Sequence, residues 1–280
     1  MSAERIGRRA FVLGACAAAT SCDASRLRLE GAGATLPQVH FERIFADFER
    51  AHTDVRIRYR GVGSGGGIRQ LLAGTVDFAA TDLPLEDEDR ALLDVEVLEV
   101  PVALFGLGIA VNLGGLRGLR LSRASLVGLL LGEIRRWDDP RVVADNPGAS
   151  LPPWPVLWVA RSDGSGSTAL LARLCASIRP EAAATLGSGR FVAWPTGVGA
   201  RGSGGVARRV LQTQGAVGYV EATQAQRLGL SLAAVENRRG ELVLPTRDSI
   251  AAAASGGPRA EDDVFDVSEP GAYPPVSCSF

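Results

Sequence analysis

Val156-Leu157-Trp158-Val159-Ala160-Arg161-Ser162-Asp163-Gly164-Ser165-Gly166-Ser167-Thr168 passes from an apolar run through a charged turn into a Gly/Ser/Thr segment. Pro152, Pro153 and Pro155 break the chain before it, and a helical pattern from about Gly166 to Ser177 follows. A short strand, Val156 to Ala160, delivering straight into a helix is the building unit of layered α/β proteins. The alternation extends outward from this stretch. Ala103 to Val111 reads as a strand buried on both faces, and Ser122 is placed to cap a helix reaching Leu131. Earlier, Val39, Ile44, Phe45 and Phe48 fall on one face of a helix beginning near Pro37, a favourable first-turn residue. Val55 to Tyr59 alternates apolar residues with arginine, as a half-exposed strand does. A short helix from about Gly66 to Ala73 then leads into the strand Val76 to Ala80. No internal repeat is evident, and the tail after Ser255 is rich in Gly, Pro and acids. The fold class is α/β.

At 280 residues and 46% apolar content, the chain is long enough for two lobes or one large domain. Its formal net charge is −1, and no basic stripe with interleaved aromatics follows the few arginines at its start, which argues against a nucleic-acid partner. All 30 basic residues are arginine. A P-loop needs a lysine after its glycines to reach the β and γ phosphates, so ATP hydrolysis by that route is excluded. The cysteines have no ligand-like spacing and the histidines are His40 and His52, so neither a metal nor another cofactor is expected. Cys175 and Cys278 read as small buried hydrophobes, and the sequence does not decide whether a disulfide joins them.

Residues 1–22 read as an export signal: Arg5, Arg8 and Arg9, the apolar run Ala10 to Ala19, then Thr20 and Ser21 before Cys22. The run is about half the ~20 apolar residues a bilayer crossing needs. Arg8 and Arg9 followed by Phe11 and Leu13 resemble a twin-arginine signal, and small residues before a cysteine resemble a lipoprotein cleavage site. Cys22 is the preferred lipidated residue. Cys16, after Leu13-Gly14-Ala15, is the rival, but it leaves too short an apolar stretch after Arg9.

Three segments place small or hydroxylated residues just before a predicted helix: Gly31 to Thr35, Gly63 to Gly67 and Asp163 to Thr168. Each is a candidate anion cradle, because a helix start presents unpaired backbone N–H groups and the positive end of the helix dipole. Arg161 ends the strand before the third segment, where its guanidinium could pair with anion oxygens through two parallel hydrogen bonds. Asp163 is assigned a supporting role, holding Arg161 in place. Asp82 follows the strand Val76 to Ala80, at the end where ligands of open α/β sheets bind. An ionised carboxylate only accepts hydrogen bonds, so an anion beside it must bring a proton. Hydrogen phosphate has one and sulfate does not, which makes Asp82 a selectivity element.

Gly31-Ala32-Gly33-Ala34-Thr35-Leu36-Pro37, Gly61 to Gly67, Thr75 to Asp82, Trp137-Asp138-Asp139-Pro140 and Arg161 to Ser167 resemble, in order and spacing from about residue 29 onward, the motifs of the Pst-type periplasmic phosphate-binding proteins. The resemblance implies the type II periplasmic-binding-protein fold, with two α/β lobes joined by a hinge and a dehydrated phosphate in the cleft. It implies contacts from Thr35, the Leu36 backbone, Ser64, Asp82, Arg161, Ser165, the Gly166 backbone and Ser167. Leu36 stands where the family usually has Phe, and Ser167 where it usually has Thr; a backbone contact and a retained hydroxyl tolerate both changes. The implied partners are inorganic phosphate and the permease and ATPase subunits of an ABC-type importer, with the protein outside the cytoplasm and attached to the membrane if Cys22 carries a lipid. Gly197 to Gly205 also matches a glycine-rich family loop and is expected to be structural. The expected division is 1–22 signal, 23–107 first lobe, 108–273 second lobe, and 274–280 the start of a return strand to the first lobe. On this pattern the first lobe lacks its C-terminal segment and should expose a contiguous apolar patch.

Three other readings stand beside this one. A dinucleotide enzyme is suggested by Gly61-Val62-Gly63-Ser64-Gly65-Gly66, but Arg56, Arg58 and Arg60 alternate along a strand that should then be central and apolar. A serine hydrolase lacks G-x-S-x-G and a plausible histidine base. A non-transporting phosphate sensor, or an inactive relative, would share the fold without delivering cargo.

Overall fold

The computed structural model describes residues 26–94, 96–187, 189–255 and 276–279. The expected signal at 1–22, with Cys16 and Cys22, and most of the acidic tail lie outside these residues. In the first lobe, β1 (Leu27–Gly33), α1 (Gln38–Ala51), β2 (Val55–Gly61), α2 (Ser64–Leu72), β3 (Phe78–Ala80) and α3 (Asp87–Ala91) follow one another. The strands form a parallel sheet in the order β2-β1-β3. Register explains its packing. Gly31 pairs with Tyr59 on one side and Phe78 on the other. A β-carbon on Gly31 would meet the Phe78 ring at 2.2 Å. The bare position therefore lets the Tyr59 and Phe78 rings stack across it, with centroids 6.2 Å apart.

This aromatic row decides how α1 docks. Phe41 meets Tyr59 at 5.0 Å and Phe45 meets Phe78 at 6.0 Å, an i, i+4 pair on one helical face. Phe41 is buried, whereas Val39, Ile44 and Phe48 remain exposed. The apolar face read from sequence is thus corrected: rings meeting rings turn the helix so that three of the four residues assigned inward face outward. Pro37 also stands at the N-cap and not within the first turn. Beyond α3, Leu98, Val100, Val102 and Leu104 are exposed along an extended segment.

From the crossing between the lobes onward come β4 (Ala103–Val111), β5 (Arg120–Leu121), α4 (Arg123–Leu130), α5 (Pro140–Asp145), β6 (Leu157–Arg161), α6 (Gly166–Ile178) and α7 (Glu181–Leu186). The chain continues with β7 (Val198–Ala200), α8 (Gly202–Gln212), β8 (Ala216–Glu221), α9 (Ala222–Arg227), β9 (Ser231–Leu232), β10 (Ala234–Glu236), β11 (Leu242–Val243), α10 (Arg247–Ser255) and β12 (Val276–Ser279). The main sheet runs β12-β4-β8-β6-β7, with β9 also against β4, and a small sheet runs β11-β10-β5. β6 is parallel to β7 and β8, while β4 is antiparallel to β8 and β12. The division expected at 107/108 falls inside β4, whose first half pairs with β12 and whose second half pairs with β8.

The period of two along these strands builds a core on each face of the sheet. Leu107, Ile109 and Val111, Trp158 and Ala160, and Val217 and Tyr219 enter one cluster with Leu126 and Leu129 of α4 and Leu170, Leu171 and Leu174 of α6. Ala110, Val159, Ala216 and Val220 enter the other, with Val206 and Val210 of α8. Burial on both faces is why these strands read as unbroken apolar runs. Cys175 is buried in the first cluster, and burial pushes its thiol up to about 12, consistent with a packing role. No helix among the described residues is long and apolar enough to cross a membrane.

Candidate functional site

Two helix starts meet across the seam between the lobes. Gly63, at the N-cap of α2, has φ 84°, a conformation open to glycine, and a β-carbon there would lie 2.5 Å from Asp163 Oδ2 and 2.6 Å from the Gly164 carbonyl. Ser165 is the N-cap of α6, its Oγ accepting from the Thr168 N–H at 3.3 Å. The lobes touch where Gly65 N donates to the Gly164 carbonyl at 3.2 Å and Gly166 N donates to Ser64 Oγ at 3.4 Å. Each helix start carries roughly half a positive charge. Two such ends facing each other in a dry seam call for negative charge between them.

Asp82, just beyond β3, supplies part of it. It is 1% exposed, and its Oδ2 accepts from Ser64 Oγ and from Ser167 Oγ, each at 3.4 Å. Its N–H donates to Ser64 Oγ at 3.3 Å. Such contacts are long for hydroxyl hydrogen bonds, so each hydroxyl can turn its single proton from Asp82 to another acceptor at little cost. A β-carbon on Gly166 would meet the Asp82 β-carbon at 2.5 Å, so only glycine lets α6 approach this closely. Tyr59 donates to the Ala34 carbonyl at 2.6 Å, and burial together with the Asp82 charge pushes its phenol well above the usual range.

Arg161 ends β6 with its side chain 1% exposed. Its Nε donates to Asp163 Oδ1 at 2.8 Å and its Nη2 to Asp163 Oδ2 at 2.5 Å. The two parallel hydrogen bonds that the sequence assigns to an anion are therefore made with Asp163. Nη1 donates to Ser203 Oγ at 3.2 Å, and the Arg161 N–H donates to Tyr219 Oη at 2.9 Å. Burial works to lower the arginine pKa, but the hydrogen bonds and charge of Asp163 outweigh it and the net shift is upward. Burial likewise acts to raise Asp163, and Arg161 with the Gly202 N–H reverses this to a net lowering. Both groups stay charged.

Ser203, in the first turn of α8, is a candidate site residue that the sequence reading does not place there. It is buried, and its Oγ lies 2.8 Å from Thr35 Oγ1 while its N–H donates to Thr35 Oγ1 at 3.2 Å. Thr35 thus reaches across the seam from the first lobe to the segment from Gly197 to Gly205. The signal was present: Gly202-Ser203-Gly204-Gly205 repeats the small-residue helix start of the other cradles. Ser64, Asp82, Gly166 and Ser167 form one linked group, and Thr35, Ser203, Arg161 and Asp163 form another. Ser165 caps the helix between them, and Leu36 enters as Thr35's buried chain neighbour.

The arrangement can hold a small oxyanion away from water. Among the described residues no cluster of His, Cys, Asp and Glu is disposed to hold a metal. His40 packs its ring against Phe105 at 5.4 Å on α1, not beside a serine. The arginine-bearing β2 is an edge strand, which disfavours the dinucleotide reading.

The model of the PBP superfamily domain matches residues 17–277. The phosphate-binding protein PstS of Xylella fastidiosa (strain 9a5c) is 37% identical over 231 residues, covering 82% of this chain and 63% of its own length. That of Haemophilus influenzae is 35% identical over 229 residues, covering 81% and 68% respectively. The chain thus spans less than two thirds of the length of the first of these relatives. Among solved structures, a phosphate-binding protein from Stenotrophomonas maltophilia superposes with a TM-score of 0.62 at 19% identity over 91% of this chain and 78% of that one. An ABC-type phosphate transport receptor from Vibrio cholerae gives 0.55 at 21% identity over 80% and 81%. These two establish the shared two-lobe α/β fold, and the superfamily match together with the sequence identity to the two PstS proteins places the chain in the PBP superfamily and, within it, in the family of Pst-type phosphate-binding proteins.

Proposed function

We propose that this chain binds inorganic phosphate, as a protonated oxyanion, in the cleft between its lobes and delivers it to the permease and ATPase subunits of an ABC-type importer. It acts outside the cytoplasm as a binder and not as an enzyme. The observation that carries the reading is the meeting of the α2 and α6 helix starts around the buried Asp82, with Arg161 and Thr35 at the same seam. The helix ends and the hydroxyls of Ser64, Ser167 and Thr35 would donate to the phosphate oxygens, together with the Gly166 and Leu36 N–H groups. Arg161, steadied by Asp163, would supply the fixed positive charge, and Ser165 would shape the α6 start. Asp82 would accept a hydrogen bond from the O–H that phosphate carries and sulfate lacks.

The relatives named above support this assignment, because they carry the name of phosphate-binding proteins. The proposed lobes are 23–107 and 108–273, hinged where β4 passes from one to the other. Export through the 1–22 signal, with Cys22 as a lipid-bearing first residue, belongs to the same proposal. Calorimetric titration of the purified chain with phosphate and then sulfate tests it. Saturable phosphate binding with no heat from sulfate is expected, and equal binding of both, or of neither, overturns it.

A further inference from the structure

Arg190 lies in the second lobe, between α7 and β7, and its two ends face different parts of the molecule. Its carbonyl accepts from the N–H of Ser165, the residue that caps α6 at the candidate anion site, at 2.9 Å. Its guanidinium crosses to the first lobe, where Nη1 lies 2.8 Å from Asp89 Oδ2 and 4.0 Å from Glu86 Oε2. The side chain is 10% exposed, and Nε and Nη2 are buried without a hydrogen-bond partner. Its acceptors are positioned by their own element: Glu86 and Asp89 form a reciprocal capping box on α3, and Arg90 of the same helix pairs with Glu99. Phe191, the next residue, lies at the seam beside this pair with its ring largely exposed. A β-carbon on Gly164 would meet its ring at 2.7 Å and one on Gly65 at 3.6 Å, so a single ring lies against both lobes.

A guanidinium this deeply buried depends on opposite charge nearby, since desolvation without a partner costs several kcal/mol. Here the compensating carboxylates belong to the other lobe. Separation of the lobes would strip Arg190 of them while it stays tied by its carbonyl to the α6 cap. We propose that Arg190 is an inter-lobe clasp: a positioning residue that touches no anion, but pairs with Asp89 and Glu86 to hold the cleft closed and so slows release of the bound ligand. This rests on the phosphate-binding reading above. A desolvated charge pair governs dissociation more than encounter, so its effect belongs in the release rate.

Stopped-flow phosphate binding to the parent, to Arg190→Gln, to Asp89→Asn and to the double variant provides the test. Each single variant is expected to release phosphate roughly tenfold faster, with the association rate changed less than about twofold. The double variant should release it no faster than the singles, because both remove one interaction. A mere folding defect would instead lower the binding-competent fraction and leave the release rate of that fraction unchanged. Unchanged release, or effects that multiply in the double variant, overturns the clasp. If the parent fails to bind phosphate, the functional reading falls separately. The clasp is then judged by small-angle scattering without phosphate: a wider Arg190→Gln chain supports it, and a profile identical to the parent's overturns it.

Discussion

Asp82 and Arg161 stand in one buried seam with opposite charges, and their substitutions should fail in different ways. Arg161 is already neutralised in part by Asp163, so removing it leaves Asp163 buried and unpaired as well as removing the positive charge near the anion. Arg161→Ala is expected to cost about 3–5 kcal/mol of phosphate affinity by calorimetry, the range for breaking a buried pair. Asp82→Asn keeps the shape of the side chain but adds a donor. It should retain phosphate binding while admitting sulfate, and a variant that excludes sulfate as sharply as the parent would refute the selectivity account. In the sequence Asp82 and Arg161 stand out as candidates from their places at strand ends, and Asp163 from its nearness to Arg161. Ser203 does not, because its value lies in reaching Thr35, a residue 168 positions away in the chain.

At the scale of elements, local rules located α2, α4 and α6 to within about two residues. Their starts are marked by Gly63, Ser122 and Ser165, and a cap acts through the chain's own backbone. The start of α2 is also the tightest point of the seam. Gly63→Ala imposes a positive φ on alanine and drives a β-carbon toward Asp163 and Gly164. Stability should fall by more than about 1 kcal/mol in chemical denaturation. Phosphate affinity should fall further than that loss explains, since the clash lies between the lobes. A full return of affinity once unfolded protein is removed would place the effect in the fold alone. The facing of α1 was not readable by periodicity, because Val39, Ile44 and Phe48 satisfy the pattern as well as Phe41 does. What chose among them was the Tyr59–Phe78 row, assembled by pairing three strands across Gly31.

For the whole molecule, a ligand held between two lobes stabilises the closed form by mass action. Phosphate at a hundred times its dissociation constant should add about 2.7 kcal/mol, seen as a rise in the thermal midpoint that sulfate does not reproduce. The same melts should show alkaline loss of stability. Tyr219, which bridges Arg161 and Thr168, has its phenol pushed up to about 12 by burial. Its contribution is complete below the ordinary tyrosine value of about 10 and is lost as the pH climbs from there toward the folded value, because the unfolded chain ionises first. Tyr219→Phe should flatten that alkaline slope. The sequence by itself determined the α/β class, the strand and helix starts, and the Gly/Ser/Thr cradles with Asp82 and Arg161, since each is written in a short stretch through backbone capping, periodicity or charge. The tertiary structure alone decided which face α1 buries, that Arg161 gives its planar fork to Asp163, and that Ser203 and Arg190 reach residues of the other lobe. Those outcomes depend on contacts between segments distant in the chain, and no local pattern encodes which distant surface a side chain will meet.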